Sequence, residues 1–478
     1  MPFTPASFLL SRTKCAVSKH AIALRLLAAP RALALFVPRK HALPTASFAS
    51  ASAAMAACFA AAAALLVLVV LALLPPAAAL DNGAARTPPM GWMDWMYYTT
   101  EIDEALIRRT ADEMVAGGYR DAGYTVVAVD DGWTAPNRDP VTNDLVADPV
   151  RFPSGIKALA DYVHGLGLLF GIYADVGAET CGGYVGLNMS ADLADKQYIK
   201  DMATFAAWGV DALKVDGCNE DPAIMNITYP ALSRAINATG RSMWFSCSWP
   251  CYMGGCGGGP ATLSQELYFQ LRDNCNTWRD FNDMYDNIDS LYNIIGSYTN
   301  PKAIALHNSV AAPGSWNDAD MLAAGGGGLS AVEEAMQMVM WAMLSSPLMM
   351  SNDLPNIPAE SKALLLNAEI IAVSQDVTAP QSFNVTDDHT YCKNLADNAI
   401  ALAALHQSSL GPPYNTTLSP RATPTSSRWS DCILPAHAGV SRWAFRDALR
   451  HVDLAPGDAV DCLAGQPGVC LVIARPMS

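Results

Sequence analysis

Ala212-Leu-Lys-Val-Asp-Gly-Cys218 is a short apolar run that ends in charge. In an extended strand, alternation places Lys214 and Asp216 on one face, and Gly217 stops the run directly after them. The same rhythm recurs on both sides. Apolar runs end in polar residues near Trp95, Asp131, Asp175, Asp216, Ser248, Asp283, Asp320 and Asp353, with amphipathic stretches between them. Eight such βα units predict an α/β fold, a (β/α)8 TIM barrel over residues 80–375. Ile102–Ala116, Ala191–Trp208, Pro222–Ala238 and Ala331–Leu344 carry apolar positions at helical spacing, and Gly117, Gly209 and Gly240 make suitable C-caps. A doubly wound open sheet also alternates β and α. However, no GxGxxG opens a helix here, and polar residues sit at almost every strand end, which suits a barrel mouth better.

Beyond Gln375 the pattern shortens to alternating segments, Ala399–Leu405, Val440–Phe445 and Val469–Ala474. These predict a small antiparallel β-sandwich over residues 376–478, with the Pro/Ser/Thr-rich Gly411–Ser427 as a surface loop.

The chain has 478 residues, 51% of them hydrophobic, enough for a large core. Its formal charge is −15, although Arg12, Lys14, Lys19, Arg25, Arg31, Arg39 and Lys40 precede the first acid, so the part beyond is more acidic still. Such a surface repels phosphate backbones, which excludes nucleic acid as a partner. Ala51 to Leu80 holds no charge and ends in Pro75-Pro-Ala-Ala-Ala79, a stretch suited to signal peptidase. Residues 1–79 therefore read as an N-terminal extension with a signal peptide starting at Met55. A signal anchor in the membrane and an organellar presequence are the alternatives. Ten of the 12 cysteines follow Leu80, and Asn188, Asn226, Asn237, Asn384 and Asn415 each open a glycosylation sequon. No CxxC pair or histidine cluster points to a metal, no cofactor is expected, and disulfides of a secretory compartment are the better reading.

Lysine beside an inward aspartate keeps the carboxylate ionised, so Asp216 reads either as a nucleophile or as half of a structural ion pair. A second carboxylate has to come from another strand end. Cys275-Asn-Thr-Trp-Arg-Asp-Phe-Asn-Asp283 offers Asp280 and Asp283, and spacing does not choose between them. Adjacent Asp130 and Asp131 would need donors, which sugar hydroxyls supply. Trp95, Trp133, Trp249 and Tyr173 could offer flat walls for sugar rings.

Leu80-Asp-Asn-Gly-Ala-Ala-Arg-Thr-Pro-Pro-Met-Gly-Trp92, Gly171-Ile-Tyr-Ala-Asp-Val-Gly177, Lys214-Val-Asp-Gly-Cys218, Ser246-Cys-Ser-Trp-Pro250, Trp278-Arg279, Trp316-Asn-Asp-Ala-Asp-Met-Leu322 and Met350-Ser-Asn-Asp-Leu354 together resemble glycoside hydrolase family 27. These are the retaining α-galactosidases and α-N-acetylgalactosaminidases. The resemblance runs in order from Leu80 to about Gln375 and is loose beyond. It implies Asp216 as nucleophile and Asp283 as acid/base. It also implies Asp130 and Asp131 on the C4 and C6 hydroxyls, Tyr173 and Lys214 as further sugar contacts, Trp95 as stacking wall and Arg279 at the C2 substituent. Ser248, Cys251 and Tyr252 fall on the C2 pocket. There α-galactosidases carry Glu and Leu and the N-acetylgalactosaminidases Ser and Ala, so Ser248 and Cys251 favour an acetamide unless a Cys251–Cys256 bond narrows the space. Cys181–Cys218 and Cys247–Cys275 match family disulfides. A third bridge is lost, because Gly132 stands where lysosomal members have a cysteine and none follows Trp95 nearby. The expected substrates are α-galactoside or α-N-acetylgalactosaminide glycoconjugates, the expected place a lysosome, vacuole or exterior, and the expected assembly a monomer or homodimer. A transglycosylase, an inactive sugar-binding barrel and a membrane-displayed adhesion module are the rival functions.

Overall fold

The computed structural model describes residues 80, 82–188, 197–379, 383–386, 390–406, 417–418, 432, 437, 440, 442–455, 460–461 and 468–477. The basic preface and the uncharged run up to Ala79 lie outside them, as do most of Gly411–Ser427 and the start of the expected helix from Ala191. Among the described residues no helix is long and apolar enough to cross a membrane.

Eight parallel strands form one sheet: β1 (Met90–Met93), β2 (Val126–Val129), β3 (Leu169–Asp175), β4 (Ala212–Asp216), β5 (Trp244–Cys247), β6 (Thr277–Arg279), β7 (Trp316–Asp318) and β8 (Leu348–Met350), in the spatial order β7-β6-β5-β4-β3-β2-β1-β8. The ring closes just past β7. Leu322 pairs with Met350 in parallel, its N–H donating to the Met349 carbonyl at 2.7 Å and its carbonyl accepting from Ser351 at 3.1 Å. The TIM barrel expected from the alternating runs is therefore present. Each strand stops at, or one to four residues before, the polar residue that marked its end in the sequence.

The helices follow their caps. Asp103 accepts from Leu106 N–H at the start of Glu104–Ala116, and Ser330 with Glu333 forms a capping box ahead of Ala331–Leu344. Residues Glu334–Leu344 are all buried, because this helix is covered on two sides. One side is the barrel. The other is an antiparallel sheet of six strands in the order Val452–Leu454, Trp443–Asp447, Gly468–Pro476, Ile400–His406, Thr390–Asn394 and Phe383–Thr386. Alternation divides its faces: Ala401, Ala403, Val469, Leu471 and Ile473 join the barrel core, while Ile400, Leu402, Val472 and Ala474 form a separate cluster with Cys392 and Phe445. Besides the six-stranded sheet, the described residues hold a separate two-stranded antiparallel pair, Thr417–Leu418 with Val460–Asp461. Lys393 spans the joint, fully buried, and donates to Ala342 O, Ser345 Oγ and Val373 O at 3.1, 2.8 and 2.6 Å.

Candidate active site

Strand register brings the polar ends to one level. Tyr173 pairs with Lys214 and Asp175 with Asp216 across β3 and β4, Lys214 pairs with Ser246 on β5, and Arg279 pairs with Asp318 on β7. A pocket of about 110 Å³ opens there, lined by Trp95, Asp130, Tyr173, Cys181, Lys214, Asp216, Cys218, Ser248, Cys251, Tyr252, Arg279 and Asp283. Both anticipated catalytic carboxylates and every anticipated sugar contact except Asp131 line this cavity, as do Cys181 and Cys218, whereas Cys247 and Cys275 do not. Asp131 is buried, its carboxylate accepting from the N–H of Gly182 at 2.7 Å and of Gly132 at 2.8 Å. Of the four aromatic walls anticipated, Trp95 and Tyr173 line the pocket. Trp133 and Trp249 do not. Trp133 packs edge-on against Phe205 and Trp208, and Trp249 stacks on Tyr229, so both belong to the core.

Lys214 organises the β2–β4 side. Its Nζ lies 2.8 Å from Asp130 Oδ2, 3.8 Å from Asp216 Oδ2 and 5.2 Å from the Tyr173 ring centre. Burial works against its charge, but Asp130 and Asp216 outweigh it and hold the ammonium protonated. The Ser248 hydroxyl donates to Asp216 Oδ1, so Asp216 is gripped from two strands. Asp280, the other candidate on the β6 loop, is fully buried and bonds to Tyr268 and His307 at 2.6 and 2.9 Å, away from the pocket. Asp283 is half exposed and lines the pocket. Arg279 holds it through Nη2 at 3.0 Å while Nη1 reaches Asp320 at 2.8 Å.

The cluster is rich in carboxylates. Burial pushes Asp130 up to about 6 despite Lys214, and Asp175 up to about 7 although the N–H groups of Gly177 and Cys218 bond it. Asp94 goes well above the carboxylate range through burial and then the Asp130 charge. Its Oδ1 accepts the Asp130 N–H at 2.9 Å, which positions the residue expected on the sugar hydroxyls. Asp94 was not singled out in the sequence, although its place between the end of β1 and Trp95 was a signal.

Disulfides brace the rim. Cys181–Cys218 ties the loop after β3 to the end of β4, and Cys247–Cys275 ties the end of β5 to the segment two residues ahead of β6. Cys251–Cys256 is also formed, closing the turn that carries Tyr252, whose hydroxyl lies 3.2 Å from Cys218 Sγ. Asp175 with Cys181 and Cys218 has the spacing of a metal cluster, but the two sulfurs are bonded to each other and offer no thiolate. At the place of the missing third bridge, Arg151 Nη1 donates to the carbonyls of Gly132 at 2.6 Å and Thr100 at 3.1 Å. Gly132 has φ +98°, and a Cβ there would lie 3.0 Å from that guanidinium. Nothing in the sequence marked Arg151.

A larger cavity, about 430 Å³, lies at the opposite end of the barrel behind residues 83–89. Its carboxylate, Asp211, is already taken by His164, Arg241 and the Phe170 N–H. No reacting group faces it.

The family profile described as alpha galactosidase A matches residues 87–376. Human α-galactosidase A is 40% identical over 357 residues, covering 71% of this chain and 79% of the human one. Human α-N-acetylgalactosaminidase is also 40% identical, over 337 residues, covering 68% and 78%. In structure, α-galactosidase I from Mortierella vinacea is similar with a TM-score of 0.68 and 31% identity, covering 83% of this chain and 100% of its own. A barrel mouth with carboxylates from separate strand ends, together with these relatives, defines a glycoside hydrolase. The chain belongs to glycoside hydrolase family 27, the family of the α-galactosidases and α-N-acetylgalactosaminidases.

Proposed function

We propose that this protein is a retaining exo-glycosidase that removes terminal α-linked N-acetylgalactosamine in preference to galactose. Asp216 attacks the anomeric carbon and forms a β-linked glycosyl ester. Asp283 protonates the leaving oxygen and then takes a proton from the water that hydrolyses the ester. The observation that carries the reading is that Ser248 and Cys251 line the same pocket as both carboxylates. Overall identity does not separate the two activities, since relatives of each kind stand at 40%. The C2 wall therefore bears the argument. Ser248 spends its proton on Asp216 and keeps lone pairs for an acetamide N–H. Asp130 and Lys214 would hold the C4 and C6 hydroxyls, with Trp95 as the apolar wall.

A second reading, with galactose preferred, draws on the Cys251–Cys256 bridge, which adds bulk beside the pocket. Hydrolysis of p-nitrophenyl α-N-acetylgalactosaminide and p-nitrophenyl α-galactoside by one preparation tests the choice. Higher kcat/KM on the acetamido sugar is expected, and cleavage of the α-galactoside alone would refute it. The disulfides and the exposed asparagines Asn188, Asn226 and Asn237, each opening a sequon, support a secretory route, with the lysosome, vacuole or exterior as destination. Asn384 and Asn415 lie where side chains are not described.

A further inference from the structure

Two large apolar side chains stand exposed on the loops that carry pocket residues, Tyr285 at 62% and Met253 at 40%. Neither lines the pocket, yet Tyr285 is two residues beyond Asp283 and Met253 directly follows Tyr252, both of which do. Their loops pack on each other. A Cβ on Gly255 would lie 2.6 Å from the Asp280 carbonyl oxygen, so only glycine allows the approach, and Cys256 Sγ lies 3.5 Å from the Phe281 carbonyl.

Both loops are braced. Cys251–Cys256 closes the first. In the second, the Tyr285 N–H donates to Ser290 Oγ at 3.0 Å, the Asn287 N–H donates to the Tyr285 carbonyl at 2.6 Å, and the Asp286 carboxylate accepts from Gly328 N–H at 2.8 Å. Both loops therefore keep a fixed position, and a ligand that covers their apolar side chains gains the free energy of removing that surface from water.

Resting on Asp283 as the acid, we propose that Tyr285 and Met253 form a platform for the aglycone, one suited to a flat apolar ring rather than a second hexose. The acid has to reach the glycosidic oxygen, so the leaving group lies on the Asp283 side, where the loop that holds Asp283 carries Tyr285 and packs on the loop of Met253. A hexose would need hydrogen-bonding partners, but Arg279 is committed to Asp283 and Asp320, and Asp286 gives Oδ2 to Gly328 and keeps Oδ1 buried. A tyrosine face and a thioether instead offer ring stacking and dispersion.

Tyr285→Ala and Met253→Ala, singly and together, are to be assayed on three substrates sharing the preferred sugar: the phenyl α-glycoside, the α-glycosyl fluoride and an α-1,6-linked disaccharide. Both side chains are exposed, so the fold tolerates truncation. In Tyr285→Ala, kcat/KM on the phenyl glycoside should fall roughly three- to tenfold, the size of one ring contact. The fluoride should be unaffected and the disaccharide affected less. No loss on the phenyl glycoside, equal loss on all three, or a larger loss on the disaccharide would each overturn the platform. Asp283→Asn, run alongside, tests the reading beneath it, because fluoride needs no protonation. That variant should lose kcat/KM on the phenyl glycoside and keep it on the fluoride, since kcat/KM ends at ester formation and does not report the later base role, and equal loss of kcat/KM on both would remove the acid assignment whatever Tyr285 does.

Discussion

Arg279 grips Asp283 at 3.0 Å, and the same guanidinium is anchored at 2.8 Å to the buried Asp320. Burial raises the Asp283 carboxyl, but Arg279 and then Lys214 lower it more, so it sits below the usual carboxylate range. A general acid works only while protonated, and a depressed pKa shrinks the protonated fraction as pH rises. We expect kcat/KM to peak at acid pH and fall toward neutrality, and Arg279→Gln to move the alkaline limb upward. A pH–rate profile that rises through neutrality would contradict this.

Asp216→Asn and Asp283→Asn should each lower turnover of p-nitrophenyl substrate by about 10²–10⁴-fold or more while leaving the circular dichroism spectrum unchanged. A cyclitol-epoxide probe of the galacto series should label the peptide holding Asp216. Label on another peptide, or an inverted first product by NMR, would contradict double displacement.

Reversal of sugar preference is expected for the pair Ser248→Glu and Cys251→Leu, which refills the wall at C2. Because a roomy pocket rejects a smaller group by only about 1–3 kcal/mol, the unaltered enzyme should keep measurable α-galactosidase activity. If the double variant preserves the order of kcat/KM, Ser248 and Cys251 do not decide it.

Arg151 holds the loops after β1 and β2 together through the Thr100 and Gly132 carbonyls and also donates to the Tyr184 hydroxyl at 2.7 Å. Arg151→Met removes these bonds and should cost about 1–3 kcal/mol of stability and raise KM more than it lowers kcat. Denaturant unfolding and Michaelis kinetics on one preparation check both; an unchanged KM would confine Arg151 to folding.

Lys393 ties the C-terminal sheet to the buried helix Ala331–Leu344, and burial pulls its ammonium down to about 7. Lys393→Ala leaves two backbone carbonyls and a void, a loss of about 2–4 kcal/mol by chemical denaturation. A variant as stable as the parent would mean that the sheet docks through its apolar face alone.

Much of this was legible locally. Lys214 and Asp216 announced a strand end facing one way because alternation is a property of the chain itself, and the apolar spacing of Ala331–Leu344 marked its helix in the same manner. Which carboxylate would stand opposite Asp216 was not legible from spacing, since Asp280 and Asp283 lie three residues apart. Only packing sends Asp280 inward to His307 and leaves Asp283 at the pocket. Trp133 and Trp249 looked equivalent to Trp95 for the same reason, as a strand end does not reveal which of its neighbours turn back into the core.

The sequence by itself determined the eight-unit rhythm, the acidic character and the set of polar strand ends, because hydrophobic period and charge act within a few residues. The tertiary structure alone decided that Leu322 closes the ring against Met350, that Arg151 joins the Thr100 and Gly132 carbonyls, and that the Asp131 carboxylate accepts from Gly182. Each of these depends on contacts between segments that no local pattern couples. Their geometry exists only once the barrel has folded and its loops have met.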